Sequence, residues 1–271
     1  MRISIKRTTI VLLLFFVVAG CSTVPITNRN RLSFISDSQL ASLSNNAYIQ
    51  ILEKAKLSDD IGKTKTVARV GSKVARAAED FLREHQMDAQ LKYYNWEFNL
   101  IEDEKIANAF CLSGGKIAVY TGLLPITRDE NGLAVVLAHE VAHAIANHHG
   151  ERMSQTTLVE LGGSLLQAFV TKESKDNVRY VMMAYGLGAN VGVLLPFSRK
   201  HESEADHIGL ILMARAGYDP RETIPLLERM AADAKRTGGG SPEFISTHPS
   251  DNNRIETIRS ELPEALSYYR R

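Results

Sequence analysis

The sequence predicts an α+β domain that is mostly helical and carries a small β-sheet beside one buried helix. Three observations support this fold class. Apolar residues recur at helical spacing in several long segments, strand-like runs are confined to residues 91–121, and residues 133–146 form an apolar run that contains two histidines and a glutamate. With 271 residues, of which 44% are hydrophobic and 23% are charged, the chain can bury a sizeable core.

The N-terminus has the pattern of a secretion signal. A basic, acid-free start precedes an apolar run at residues 10–18, which is short for a membrane span, and Val-Ala-Gly-Cys then ends at Cys21. This stretch resembles the lipobox of bacterial lipoproteins. We therefore expect residues 1–20 to be a signal peptide, Cys21 to carry lipid that binds the membrane, and residues 21–33 to be a tether. A simple signal or an uncleaved anchor is the alternative.

Two further properties restrict compartment and partners. Ser22, rather than aspartate, follows the cysteine, which implies the periplasmic face of the outer membrane by the sorting rule of enteric-type bacteria. The net charge is +1, and the chain without its basic N-terminus is close to neutral, so the charge balance excludes nucleic acid as an expected partner.

Cys111 is the other cysteine. If Cys21 is lipidated, Cys111 has no disulfide partner and is expected to be a small buried side chain.

Two scaffold helices are predicted next. Ser36 and Gln39 have the spacing of a capping box, which opens a helix that runs to about Lys56. Apolar residues then recur at helical spacing, which predicts an amphipathic helix from Thr64 to near His85.

The small sheet is predicted from three short runs. Residues 91–98 are rich in aromatic side chains, as strands are. Residues 108–112 and 116–121 are apolar runs on either side of Gly114 and Gly115, which favours a hairpin. This sheet either only covers the helices or also offers an edge that pairs with an extended peptide.

The central helix, which we expect to begin near Asp129 or Glu130, contains the main candidate site. Its apolar residues fall on every face, so it should be buried nearly all round. His139 and His143 lie four residues apart and can offer two imidazoles to one metal ion, with Glu140 beside them. This is the H-E-x-x-H pattern, in which two histidines hold zinc and the glutamate is a general base. Two hydrogen-bonded core histidines are the alternative.

A long insertion follows the central helix, at residues 151–197. It has helical texture, and its second part, residues 180–197, lacks charge entirely. We favour a buried or partly exposed pair of apolar helices, acting as a lid or a membrane-facing patch, over a transmembrane span.

A second acidic stretch supplies further candidates. Glu202 and Asp206 share one helix face, so Glu202 can reach a metal while Asp206 accepts a hydrogen bond from a ligand imidazole. A solvated acidic face is the alternative reading of an isolated stretch of this kind.

Together these motifs make the chain similar to a known family. The segment from His139 to His143, with Glu202, Ala205 and Asp206 downstream, resembles the zinc metallopeptidase family of the CaaX prenyl endopeptidases, HtpX and the BepA-type periplasmic proteases. The resemblance covers residues 34–259. It implies a zincin-type domain over residues 34–271, zinc held by His139, His143 and Glu202, Glu140 as the catalytic base, and Asp206 as a partner of a ligand. It also implies a substrate-binding edge strand, formed by Asn108, Ala109 and Phe110.

The C-terminal part adds two candidates. Asp219 and Pro220 predict the start of a helix that runs to about Lys235. Thr-His-Pro around His248 then precedes a short helix with Arg254, and family members carry a similar element. His248 could be a transition-state donor, a fourth ligand that silences the site, or a plain turn histidine, and Arg254 could also steady the oxyanion.

The functional hypothesis is a zinc-dependent endopeptidase of the bacterial envelope that cleaves misfolded or misassembled envelope proteins. Its partners would be polypeptide substrates bound to the sheet edge. One rival is a lipid-anchored chaperone or adaptor with a structural or latent zinc site. Another is a metal-dependent hydrolase that acts on the cell wall or on lipid.

Overall fold

The computed structural model describes residues 21–24, 27, 29–161, 199–236, 244, 248 and 252–269. The predicted signal peptide and most of the insertion lie outside these residues. Over the described residues the protein is mostly helical with a small sheet, as predicted. No helix among them is long and apolar enough to cross a membrane.

The segment expected to be a tether has regular structure. β1 (Cys21–Thr23) pairs antiparallel with β2 (Asn30–Leu32). Val24 is 1% exposed and joins the main core, while the Arg31 guanidinium is buried and donates to the carbonyl of Ala146 at 2.5 Å. This stretch, predicted to be a tether, therefore contains two paired strands, and one apolar and one cationic side chain hold it against the domain.

The first two long helices are close to the prediction. α1 (Asp37–Lys54) has the predicted capping box of Ser36 and Gln39. α2 (Ile61–Glu84) begins three residues earlier than expected, since the carboxylate of Asp60 caps it by accepting from the backbone of Lys63.

Three strands form a mixed sheet with the order β3-β5-β4. β3 (Glu97–Ile101) runs parallel to β5 (Lys116–Tyr120), and β4 (Ala109–Leu112) pairs antiparallel with β5. The predicted hairpin is confirmed, and its turn holds Gly114 and Gly115 at φ of 85° and 80°. A Cβ at Gly115 would lie 2.5 Å from the Trp96 ring, so only glycine fits there.

The predicted strand at 91–98 is largely wrong. Residues Asp88–Tyr93 form a 3₁₀ helix, and the strand starts at Glu97. The reason is that the neighbouring strand β5 and its turn are short. The backbone amides of Asn95 and Glu97 already donate to the carbonyls of Gly114 and Gly115 in the turn, so residues before Asn95 have no strand beside them to pair with.

The two helices that carry most of the site residues pack against each other, and the first of them also packs against the sheet. After the short α3 (Leu124–Thr127), α4 (Glu130–Ile145) begins at the cap Asp129, as predicted, and is buried on nearly all sides. α4 packs against α2, β4 and α6 (Arg199–Arg215), and α5 (His148–Leu161) leads away from its end.

The C-terminal helices close the fold beside α6. A 3₁₀ turn (Pro220–Glu222) capped by Asp219 leads into α7 (Thr223–Arg236). The helix that carries Arg254, expected to be short, is the 17-residue α8 (Asn252–Tyr268). Its greater length follows from an apolar stripe that includes Ile258 and Ala265, which packs against Leu210 of α6.

Candidate metal centre

Four buried side chains meet at one point. α4 supplies His139 and His143, α6 supplies Glu202, and the loop before α8 supplies His248, with one donor atom of each lying within 4.8 Å of all the others. The Nε2 atoms of His139 and His143 are 3.0 Å apart. Nδ1 of His248 lies 3.2 Å from Nε2 of His139 and 3.0 Å from Oε1 of Glu202.

The donor set fits a zinc ion. All four residues are 5% exposed or less, and three imidazole nitrogens and a carboxylate oxygen face one another. Such groups are costly to bury together unless a cation binds them. Imidazole nitrogen and carboxylate oxygen in a set of four are ligands that zinc prefers. His139, His143, Glu202 and His248 are thus the residues that would hold the metal.

Asp206 fixes the ring of His139, as the resemblance implied. Its Oδ1 lies 3.0 Å from Nδ1 of His139, so the ring's other nitrogen stays directed at the cluster. Burial alone would raise the pKa of the Asp206 carboxyl, but the guanidinium of Arg254 and the hydrogen bond from His139 lower it. Asp206 is therefore a charged acceptor.

Arg254 contacts two carboxylates beside the ligand cluster. Its Nε and Nη2 contact the Asp206 carboxylate at 2.6 and 2.8 Å, and its Nη1 lies 3.1 Å from Glu202 and 3.2 Å from the carbonyl of His248. With its nitrogens engaged in this way and the residue 9% exposed, Arg254 holds two carboxylates and a loop. Arg254 therefore holds Asp206 and Glu202 in place, and its predicted role as an oxyanion donor stays a prediction.

Glu140 lies between the cluster and the sheet. Its Oε2 accepts from the backbone amide of Cys111 in β4 at 3.3 Å. Its Oε1 lies 3.3 Å from Nε2 of His248 and has no hydrogen-bond partner among the described residues. Burial raises the pKa of the Glu140 carboxyl, and the nearby imidazoles of His248 and His139 offset this only in part. A carboxylate of this kind is well suited to accept a proton.

The predicted substrate edge is next to Glu140. β4 forms one edge of the three-stranded sheet, with Asn108 directly before it and Ala109 and Phe110 as its first residues. At this end of β4 the carbonyl of Ala107 accepts from the amide of Phe244 at 3.3 Å. Phe244, four residues before His248, thus contacts the chain just before this edge. Cys111 is buried and free, as predicted.

Several residues of the centre were missed from the sequence. Nδ1 of His143 lies 2.9 Å from Nδ1 of His148, whose Nε2 lies 2.8 Å from Glu204. α4 ends at Ile145, and Asn147, at φ of 56°, turns the chain so that His148 comes back towards His143. Helical spacing cannot reveal such a contact. An asparagine after the last apolar residue, followed by a histidine, is the only local signal.

A buried helix with two histidines and a glutamate, a carboxylate from a second helix and a strand edge beside the glutamate together define a zinc metallopeptidase. The sequence comparisons agree. The chain belongs to peptidase family M48, whose sequence model matches residues 65–262. The predictions of a zinc metalloendopeptidase class and of zinc as the metal are thereby confirmed at the level of the family.

The named relatives include mitochondrial proteins and a bacterial protease. The chain is 36% identical over 245 residues to the mitochondrial metalloendopeptidase OMA1 of Schizosaccharomyces pombe, covering 89% of this chain and 66% of that protein. It is 37% identical over 178 residues to OMA1 of Saccharomyces cerevisiae, covering 64% and 49%. It is 31% identical over 171 residues to the beta-barrel assembly-enhancing protease of Yersinia pestis, covering 61% and 34%. The chain thus spans about a third to two thirds of these relatives.

Proposed function

We propose that this protein is a zinc-dependent endopeptidase that cleaves misfolded or misassembled proteins of the bacterial envelope. The observation that carries the proposal is the position of Glu140, a buried carboxylate between the ligand cluster and an edge strand, whose Oε1 has no hydrogen-bond partner among the described residues. A structural zinc site has no need of a base at that place.

The chemistry follows from the chain's own groups. Zinc, when bound, would supply a Lewis acid that polarises a carbonyl and acidifies water. Glu140 accepts the proton of the attacking water through Oε1 and returns it to the leaving amine. Asp206 and Arg254 keep the ring of His139 and the carboxylate of Glu202 in place during these proton transfers. Burial of the whole group excludes bulk water, which strengthens each of these electrostatic contacts.

The substrate is proposed to be an extended stretch of polypeptide paired with β4. An edge strand binds its substrate through main-chain hydrogen bonds, which any extended chain can make, so this mode of binding is suited to unfolded proteins. The name of the Yersinia relative connects that protein with β-barrel assembly, and this supports envelope proteins as the substrate class. Lipid on Cys21 and the periplasmic face of the outer membrane are parts of the same proposal, and they rest on the lipobox-like sequence.

The arrangement also supports a latent state. Nδ1 of His248 lies in the ligand cluster, while Phe244, whose carbonyl accepts from the backbone amide of His248, donates to the carbonyl of Ala107 just before β4. A fourth protein ligand takes the position that a catalytic zinc site keeps open. We propose that the described conformation is closed and that displacement of His248 opens it.

The test of the proposal is Glu140→Gln. We expect a 10²- to 10⁴-fold loss of casein or peptide cleavage, roughly the contribution of a general base, with the zinc content unchanged. Glu130→Gln, at the start of the same helix, is the matched control, because Glu130 pairs with the surface residue Arg69 and does not reach the cluster. Undiminished cleavage by the Glu140 variant at equal zinc content would contradict the proposal.

The closed ligand set is also what a chaperone or adaptor with a structural zinc would have. That rival predicts that Glu140→Gln leaves the cellular phenotype intact, while deletion of residues 158–197 abolishes it. The endopeptidase proposal predicts that Glu140→Gln alone reproduces the loss of the gene.

A further inference from the structure

Arg29, from the segment between Cys21 and the first helix, bridges two buried carboxylates. Its Nη1 and Nη2 contact the two oxygens of Glu151 at 3.0 and 2.8 Å. Its Nε and Nη2 contact Oε2 of Glu204 at 3.0 and 2.9 Å. The side chains are 11%, 8% and 4% exposed, so these contacts are largely shielded from solvent. Thr27 of the same segment also donates to Glu204.

Each of these carboxylates holds a histidine. Glu204 lies 2.8 Å from Nε2 of His148, and Glu151 lies 3.0 Å from Nε2 of His201. The two imidazoles stack with their centroids 4.4 Å apart and their planes at 18°. Arg29 therefore organises a compact group of two acids and two stacked rings, none of which is one of the four metal ligands.

One of these rings reaches a metal ligand. A neutral His148 that donates from Nε2 to Glu204 has Nδ1 left as an acceptor, and this atom lies 2.9 Å from Nδ1 of His143. The Nδ1–H of His143 can then donate to His148 while its Nε2 faces the cluster. A fixed partner on the second nitrogen sets both the tautomer and the orientation of a ligand imidazole.

We propose that Arg29 is a positioning residue of the metal centre, which acts on His143 through Glu204 and His148. The segment that follows Cys21 then contributes to the metal centre, because its Arg29 guanidinium holds the carboxylate of Glu204 in place. This inference rests on the proposed zinc site, but it does not require that the protein cleave peptides.

The test compares Arg29→Ala with wild type in the full chain. We expect zinc affinity, measured by competition with a chromophoric chelator, to fall about tenfold, the lower end of the range for partners of metal ligands. The visible spectrum of the Co²⁺-loaded protein should change, and kcat should fall more than KM rises. Arg29→Lys should restore part of the affinity, because it keeps the charge but cannot bridge both carboxylates.

Arg69→Ala is the matched control, because Arg69 also pairs with an acid, Glu130 on α4, but on the surface. It should leave the zinc affinity and the Co²⁺ spectrum unchanged. Glu204→Gln should weaken zinc binding about 10- to 100-fold. In that background Arg29→Ala should have little further effect, because both residues act along one path.

Three results are distinguishable. Unchanged zinc affinity and Co²⁺ spectrum in Arg29→Ala, even with a lower melting temperature, would overturn the inference and leave Arg29 a structural residue. If Arg29→Ala does not fold, Glu204→Gln decides, since it leaves the contact of Arg29 with Glu151 in place; a wild-type spectrum there overturns the inference. Failure of the wild type to bind zinc would instead refute the metal site itself.

Discussion

The two histidines of α4 use their ring nitrogens in the same way. Each directs Nε2 into the ligand cluster and gives Nδ1 to a partner, Asp206 for His139 and His148 for His143. The partners differ in kind: Asp206 is a carboxylate, whereas His148 is an imidazole whose other nitrogen contacts the carboxylate of Glu204. At the scale of single residues, therefore, the site depends on groups that never touch the metal.

His248 is the residue whose role is most open to test. His248→Ala should raise the rate of peptide cleavage several-fold and lower zinc affinity, because one ligand is lost and a position is opened. Rates and zinc content are measured on the same preparation. A strong fall in kcat at full zinc occupancy would show instead that His248 acts as a transition-state donor.

Residues at fixed helical spacing could be predicted from the sequence, and residues joined by turns could not. His139, His143, Glu202 and Asp206 were identified because separations of four place side chains on one helix face. His148 lies beyond a helix end and meets His143 only after the turn at Asn147. Arg29 meets its partners across 122 and 175 positions of the chain, and no local pattern contains such pairs.

At the scale of elements, the site depends on how closely α4 and α6 approach each other. Gly209 makes the approach possible, since a Cβ there would lie 3.2 Å from the backbone nitrogen of His139 and 3.3 Å from the carbonyl carbon of Ala138. Glu202 and Asp206 are carried on the same helix as Gly209, one to two turns earlier. Helix spacing and ligand geometry are therefore coupled at this residue.

Gly209→Val should separate the two helices. Overpacking of this kind costs about 1–3 kcal/mol, and we expect zinc affinity to fall with stability because Glu202 moves away from the histidines. Gly209→Ala is the matched smaller change; its single methyl group needs a shift of a few tenths of an ångström, and the better helix propensity of alanine offsets the cost. Urea unfolding with zinc titration measures both effects. Equal affinity in both variants would show that the spacing does not control the ligands.

Elements were predicted well where they carry their own signals and less well where a partner decides them. The capping box of α1 and the Gly-Gly turn of the hairpin are local, and both were found. The aromatic run at 91–98 has strand composition, but β5 and its turn offer pairing only from Asn95 onward. Likewise, β1 and β2 are three residues long and exist because Val24 and Arg31 bind the domain.

At the scale of the molecule, the metal centre joins parts of the chain that are far apart in sequence. α4 contributes two ligands, α6 and the segment before α8 contribute one each, and the main core packs around them. Metal binding therefore favours the folded state over the unfolded chain, which has no preformed site.

Removal of the metal should lower the melting temperature. At free zinc of about 100 times the dissociation constant, binding adds roughly 2.7 kcal/mol, which corresponds to about 5–11 °C for a domain of this size. Scanning calorimetry with and without a chelator measures the shift. Glu140→Gln should show the same shift, because it keeps all the ligands. A melting temperature that is the same with and without the chelator would mean that zinc does not stabilise the fold, and it would contradict the prediction.

The contacts of β1 and β2 with the domain also bear on the distance between the metal centre and a membrane, if Cys21 carries the proposed lipid. Cys21 is itself a β1 residue, paired with Leu32, and Arg29 and Arg31 fix the same segment beside the metal centre. A lipid on Cys21 would then be attached to the body of the enzyme, with no slack chain in between. If Cys21 carries lipid as proposed, the distance between the ligand cluster and the bilayer would therefore be set by β1 and β2.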